Sequence, residues 1–132
     1  MATGKTYDRV WCYGKGQFRA AVSFAPNGGS NPDPASFKGS LLQSVTRLSA
    51  GTWRLTLNIG GVKDIISADA SAQVNSAANI DTSLQVGAIT NTGGSPITID
   101  IRNNPGGAVA DIAADPSNRI NLELFLQMGA IK

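Results

Sequence analysis

The chain has 132 residues, enough for one domain with a substantial core. Hydrophobic residues make up 42 % of it and charged residues 15 %, against a usual charged share of about 25 %, which excludes a disordered chain. The formal net charge of +2 is too small by itself to imply nucleic-acid binding, and no apolar run is long enough to form a membrane-spanning helix.

Residues 1–13 are expected to form an N-terminal arm or first strand ahead of a single sandwich domain over 14–132. The opening Met1-Ala2-Thr3-Gly4-Lys5-Thr6 lacks the apolar centre of a signal peptide, so synthesis in a cytoplasm is expected. If residues 5–15 are extended, Lys5, Tyr7, Arg9, Trp11, Tyr13 and Lys15 share one face, and Val10 and Cys12 face the core. An aromatic and basic stripe suits a protein interface, where Trp, Tyr and Arg are the enriched anchors. It also suits stacking on single-stranded nucleic acid, and Trp11 and Tyr13 can instead fill the interior. Tyr7, Arg9, Trp11 and Tyr13 are therefore the first candidate partner-binding residues.

Strands are predicted over 9–13 and 17–24. The loop that follows, 26–34, holds Pro26, Pro32 and Pro34, which stiffen it and lower the ordering cost of docking. Its polar residues Asn27, Asn31 and Asp33 are the second set of partner-binding candidates. A strand is predicted over 37–48. Over 52–59, Trp53, Leu55, Leu57 and Ile59 alternate with polar residues. Over 66–74, Ile66, Ala68, Ala70, Ala72 and Val74 do the same, and this period of two places all five in the core. A weaker strand spans 82–90, and Ile97, Ile99 and Ile101 mark another. A short helical turn is expected near 110–114, ended by Asp115-Pro116. The last strand carries Ile120, Leu122, Leu124 and Leu126 inward.

These elements make an all-β chain, an antiparallel β-sandwich of about eight strands, with a jelly roll the expected winding and a seven-stranded immunoglobulin-like sandwich the alternative. The charges divide unevenly, +6 over residues 1–63 and −4 over 64–132. Interleaved strands would mix them; a basic face meeting an acidic partner is the other reading.

Chemistry-bearing motifs are scarce. The chain has no histidine, which removes Ser-His and Cys-His dyads and most catalytic zinc sites. Its one cysteine, Cys12, forms no intrachain disulfide and reads as a small buried hydrophobe. Asp111 and Asp115 are the closest carboxylate pair in a loop, a position that suits turn and cap chemistry. Asp64, Asp69, Asp81 and Asp100 show no calcium-loop spacing. The glycine pairs, and Gly4-Lys5-Thr6, lack the strand and first glycine of a phosphate loop. A binding or structural protein is expected, with no enzyme activity, metal or cofactor.

Leu48-Ser-Ala-Gly-Thr-Trp-Arg-Leu-Thr-Leu57 resembles the glycine turn and aromatic strand of trimeric jelly rolls of the tumour-necrosis-factor type. With Ile97-Thr-Ile-Asp-Ile101 and Asp115-Pro-Ser-Asn-Arg-Ile-Asn-Leu-Glu-Leu-Phe125, it is similar to small jelly-roll virion proteins of tailed bacteriophages, over roughly residues 37–128. These include capsid decoration (cement) proteins and fibre or spike heads. The resemblance implies a protein on the capsid surface that binds the major capsid protein as a homo-oligomer, a trimer by analogy, and stabilises the shell. The residues themselves give no expectation of a membrane partner, and the modest net charge argues against nucleic acid. The alternative is a receptor- or glycan-binding head of a virion fibre, with loops 91–95 and 103–107 as candidates. A single-stranded nucleic-acid-binding β-barrel is the third reading.

Overall fold

The computed structural model describes residues 10–14, 16–75, 81–90 and 96–128, with the backbone course alone for 10–14. Tyr7 and Arg9 lie outside the described residues. Among the described residues there are eight strands: β1 (Val10–Gly14), β2 (Gln17–Phe24), β3 (Leu42–Ser49), β4 (Thr52–Leu57), β5 (Val62–Gln73), β6 (Leu84–Thr90), β7 (Ile97–Asn103) and β8 (Arg119–Met128). They form two four-stranded sheets, in the orders β1-β2-β8-β5 and β3-β4-β7-β6, and all the pairings are antiparallel. The chain is all-β and folds as a sandwich.

The period of two explains the core. On the central strands of one sheet, Val22 and Phe24 of β2 and Ile120, Leu122, Leu124 and Leu126 of β8 point inward. On the other, Trp53, Leu55 and Leu57 of β4 sit opposite Ile101, Ile99 and Ile97 of β7. All of these are buried, and the Phe24 and Trp53 rings meet at 6.1 Å and 59°. Each fully buried side chain of this size contributes about 1.5–3 kcal/mol before ordering costs. Trp53 is 0 % exposed, and its indole Nε1 has no hydrogen-bond partner.

The structure corrects the alternation at two places. The β5–β8 register shifts between Ile65 and Ser67, a bulge that leaves Ile66 as the extra residue. Ile65 packs against the core and Ile66 is 47 % exposed, the reverse of the predicted inward Ile66. In β1 the register shifts between Cys12 and Gly14, so Tyr13 falls at a ladder irregularity and the regular spacing of the N-terminal stripe ends there. Residues 110–114 form no helical turn. Among the described residues the short 3-10 turns are at Pro34–Ser36 and Pro105–Gly107, and Ile112 instead inserts its side chain into the core.

Interleaving of the strands mixes part of the uneven charge of the two halves. The ion pairs among the described residues are Arg19–Glu123, Arg47–Asp111 and Arg54–Asp100, and each joins a cation of the first half to an acid of the second.

Truncation at the centre of the core tests this packing. Trp53→Ala should lower the unfolding free energy by about 3–5 kcal/mol in urea titration. Trp53→Phe should lose much less, because the part removed includes an unpaired buried donor.

Candidate functional site

Among the described residues, side-chain hydrogen bonds gather in the connections at one end of the sandwich. Four parts of the chain meet there: residues 25–37, the β3–β4 turn at 50–51, the described ends of the β5–β6 connection at 74–75 and 81–83, and the β7–β8 connection at 104–118. Three polar residues hold them together. Asn103 is 1 % exposed; its Oδ1 accepts from the Ser83 N–H at 2.8 Å, and its Nδ2 donates to the Ala110 carbonyl at 3.0 Å. Asn118 is 0 % exposed; its Oδ1 accepts from the Asn75 N–H at 2.8 Å, and its Nδ2 donates to the Ala113 carbonyl at 3.0 Å. Each amide thus satisfies two main-chain groups of different segments.

Asp111 is the third. Arg47 grips it with both branches of the guanidinium, Nε to Oδ1 at 3.0 Å and Nη2 to Oδ2 at 2.7 Å, and the Gly51 N–H donates to Oδ1 at 2.8 Å. Hydrogen bonding to Arg47 is the main cause holding the Asp111 carboxyl below its ordinary value. Partial burial opposes this, and the Gly51 N–H reinforces it. Gly51 has φ +66°, and a Cβ there would lie 2.6 Å from the Ala110 nitrogen, so only glycine fits the turn.

The loop after β2 contains Asn27, Asn31 and Asp33, and the structure uses all three for the shape of the loop. Asn27 Nδ2 donates to the Asn31 carbonyl at 3.1 Å, and Asn31 Oδ1 accepts from the Arg47 N–H at 2.9 Å. Asp33 caps the Pro34–Ser36 turn by accepting from the Ala35 N–H at 3.0 Å. The Ser36 hydroxyl donates to the Asp33 carbonyl at 2.7 Å and accepts from the Ala25 N–H at 3.1 Å. Arg119 Nη2 reaches the Ser36 carbonyl at 2.7 Å and the Ser23 hydroxyl at 2.9 Å, tying the loop to β8. Asn31 and Asp33 are exposed.

An open cleft of about 380 Å³ lies between this loop and the β7–β8 connection, with Pro26, Asn27, Asp33 and Ser36 on one side and Asp115 and Pro116 on the other. The Asp115 carboxyl is held below its ordinary value chiefly by the Ser117 N–H at 2.7 Å, and then by Asn75. Asp115 thus closes its own turn, as cap chemistry implies, whereas Asp111 is engaged by Arg47 and Gly51 from a distant part of the chain, and both carboxyls are shifted downward. Among the described residues no group of three or more metal-ligating side chains is present.

Of the first candidate set only Trp11 and Tyr13 are among the described residues, and both lie on β1, beside the start of β2. Trp11 pairs in register with Arg19, and Gly14 with Gln17 at the start of β2, whereas the Asn27–Asp33 loop leaves the far end of β2, beyond Phe24. Asn103, proposed on sequence for a glycan-binding loop, is buried and fully engaged, and residues 91–95 lie outside the described residues. Arg47, Asp111 and Asn118 were not distinguishable as loop anchors by spacing, because their partners are up to 64 residues away. Leu48 and Val109, 44 % and 45 % exposed, place apolar surface on β3 near the 50–51 turn and on the β7–β8 connection.

No protein-family model matches the chain, and no curated protein and no solved structure matches it either.

The depressed Asp111 and Asp115 values have a definite pH signature. A carboxyl lowered on folding contributes stability that is fully present above its unfolded value of 3.8 and is lost as pH falls through the folded value. The urea midpoint should therefore drop steeply below that pH, and Asp111→Asn should flatten the drop. Removing either buried amide should cost more than removing a surface ion pair. Asn103→Ala and Asn118→Ala should each lower stability by about 2–3 kcal/mol, since each leaves main-chain groups unpaired. Arg54→Ala should shift the thermal midpoint only slightly.

Proposed function

We propose that this protein is a capsid decoration, or cement, protein of a tailed bacteriophage, carried on the virion surface as a symmetric homo-oligomer bound to the major capsid protein. The observation that carries the reading is the loop end. It is tied by two buried asparagines, the Arg47–Asp111 pair and the Asp33 cap, so it is a docking surface already in its bound shape. Leu48 and Val109 supply exposed apolar contact there, and Asn31 and Asp33 supply polar contact. Such a surface would bind across a junction between capsid subunits and resist their separation. Each Å² of apolar surface removed from water contributes about 25 cal/mol before ordering costs. Many symmetric copies multiply a modest contact into a large effect on the shell.

The kinship proposed is with jelly-roll sandwiches as a group. Four of the seven connections change sheet, as wound sandwiches require, while β1–β2, β3–β4 and β6–β7 are hairpins within a sheet, a simpler winding than a full jelly roll. Tyr7 and Arg9 belong to the proposal as an arm reaching a neighbour, with Trp11 and Tyr13 on the edge strand β1 that follows it. Nucleic acid is disfavoured, because Arg19, Arg47 and Arg54 are each engaged by a carboxylate of the same chain. The function proposed needs no cofactor and no membrane.

The cleft between Asn27, Asp33 and Asp115 favours a second reading, a glycan- or receptor-binding head of a virion fibre, because polar groups converge there around a space of sugar size. One comparison separates the two. Co-sedimentation with expanded phage capsids should be saturable, and a glycan array should be blank. Leu48→Asp with Val109→Asp should weaken capsid binding at least roughly tenfold without lowering the thermal midpoint. Glycan binding abolished by Asp33→Ala, with no capsid association, would replace the first reading by the second.

A further inference from the structure

Strand β5 is an edge strand. Its only ladder partner among the described residues is β8, so one row of its main-chain N–H and C=O groups faces away from the sheet. At twelve residues it is also the longest strand described. Natural edges are usually blunted by proline, lysine, inward charges or bulges. β5 has a bulge at Ile66, and beyond it the stretch Ser67-Ala-Asp-Ala-Ser-Ala-Gln73 pairs regularly with β8 and carries one charge and no proline or lysine. The seam beside it is open too. Ala68, Ala70 and Val74, and Leu84, Val86 and Ile89 on the neighbouring edge strand β6, pack against the core but stay only partly buried.

We infer that β5 is a two-fold interface, pairing antiparallel with β5 of a second copy of this chain about an axis at Ala70 and joining two four-stranded sheets into one of eight. The regular stretch is self-complementary in that register. Ala70 is its midpoint, so Asp69 faces Ser71 of the partner subunit, Ala68 faces Ala72 of the partner subunit and Ser67 faces Gln73 of the partner subunit. No like charges meet, and Asp69 gains a hydroxyl to accept from. An axis one residue earlier would set Asp69 against its own copy. Main-chain hydrogen bonds supply the affinity, as in other strand additions, and the partly buried alanines of the seam gain cover. The contact replaces the three-fold assembly implied by resemblance with an even-numbered one, and it does not depend on what the loop end docks to.

Sedimentation velocity and light scattering on the full chain, across a concentration series, test it. The wild-type mass should be that of a dimer. Ser71→Asp places two acids opposite each other at both symmetric positions and should lower the mass twofold, with the circular dichroism spectrum unchanged. Asp69→Lys added to Ser71→Asp should restore the dimer. An independent variant does not rely on those substitutions. Antiparallel partners lie about 4.5–5.5 Å apart at Cα, within disulfide range, so Ala70→Cys in a Cys12→Ser background should cross-link to a dimer under mild oxidation. A wild-type monomer at every concentration would overturn the inference and leave the edge to an extended segment of another protein. So would a trimer indifferent to Ser71→Asp, or a failure of the Ala70→Cys variant to cross-link.

Discussion

The structure depends on closing two sheets over one aliphatic interior. β2 and β8 in one sheet, and β4 and β7 in the other, present inward rows of Val, Leu, Ile, Phe and Trp that are almost wholly removed from water. These strands come from opposite ends of the chain, so the core forms only when distant segments meet. Most contacts between residues close in space are accordingly long-range in sequence. The ion pairs follow from the same constraint. Once β2 lies on β8 and β4 on β7, Arg19 reaches Glu123 and Arg54 reaches Asp100 as outward neighbours across the ladders.

The loop end is the second consequence. The β2–β3 and β7–β8 crossings between sheets use long connections, and such loops are mobile without internal ties. Here buried amides replace a hydrophobic minicore. Asn103 and Asn118 each bind two main-chain groups, and Asp111 draws the β3–β4 turn, strand β3 and the β7–β8 connection to one carboxylate. If this end docks to a partner as proposed, little ordering remains to be done on binding. The polar residues of the 26–34 loop serve this end indirectly, since Asn27, Asn31 and Asp33 shape the loop they also decorate.

The two edges of the first sheet are managed differently. β1 borders β2 as a short strand whose ladder is interrupted before Gly14, while β5 is long and, past its bulge at Ile66, regular. Bulges shorten or twist an edge and discourage pairing; a regular edge with a single charge invites it. The same strand carries small inward side chains, which fill the rim of the core thinly and leave the seam toward β6 partly open. Edge chemistry and thin packing thus coincide on one side of the molecule.

Much of this was legible in the residues themselves. Strict alternation over 52–59, 97–102 and 120–127 determined both the strands and their buried faces, because the two-residue period of a strand ties side-chain direction to position. Glycine and proline marked the turns, and the β2 boundaries followed from the same pattern. What a single chain could not reveal was anything that depends on which strand lies beside which. The bulge that turns Ile66 outward arises from register with β8, a relation between residues some sixty positions apart. The buried roles of Asn103, Asn118 and Asp111 depend on partners in other loops, since a polar residue is satisfied inside a protein only by groups that tertiary folding brings to it. The sequence by itself therefore determined the sandwich and its interior, and only the tertiary structure decided how the loops lock and which edge stays open.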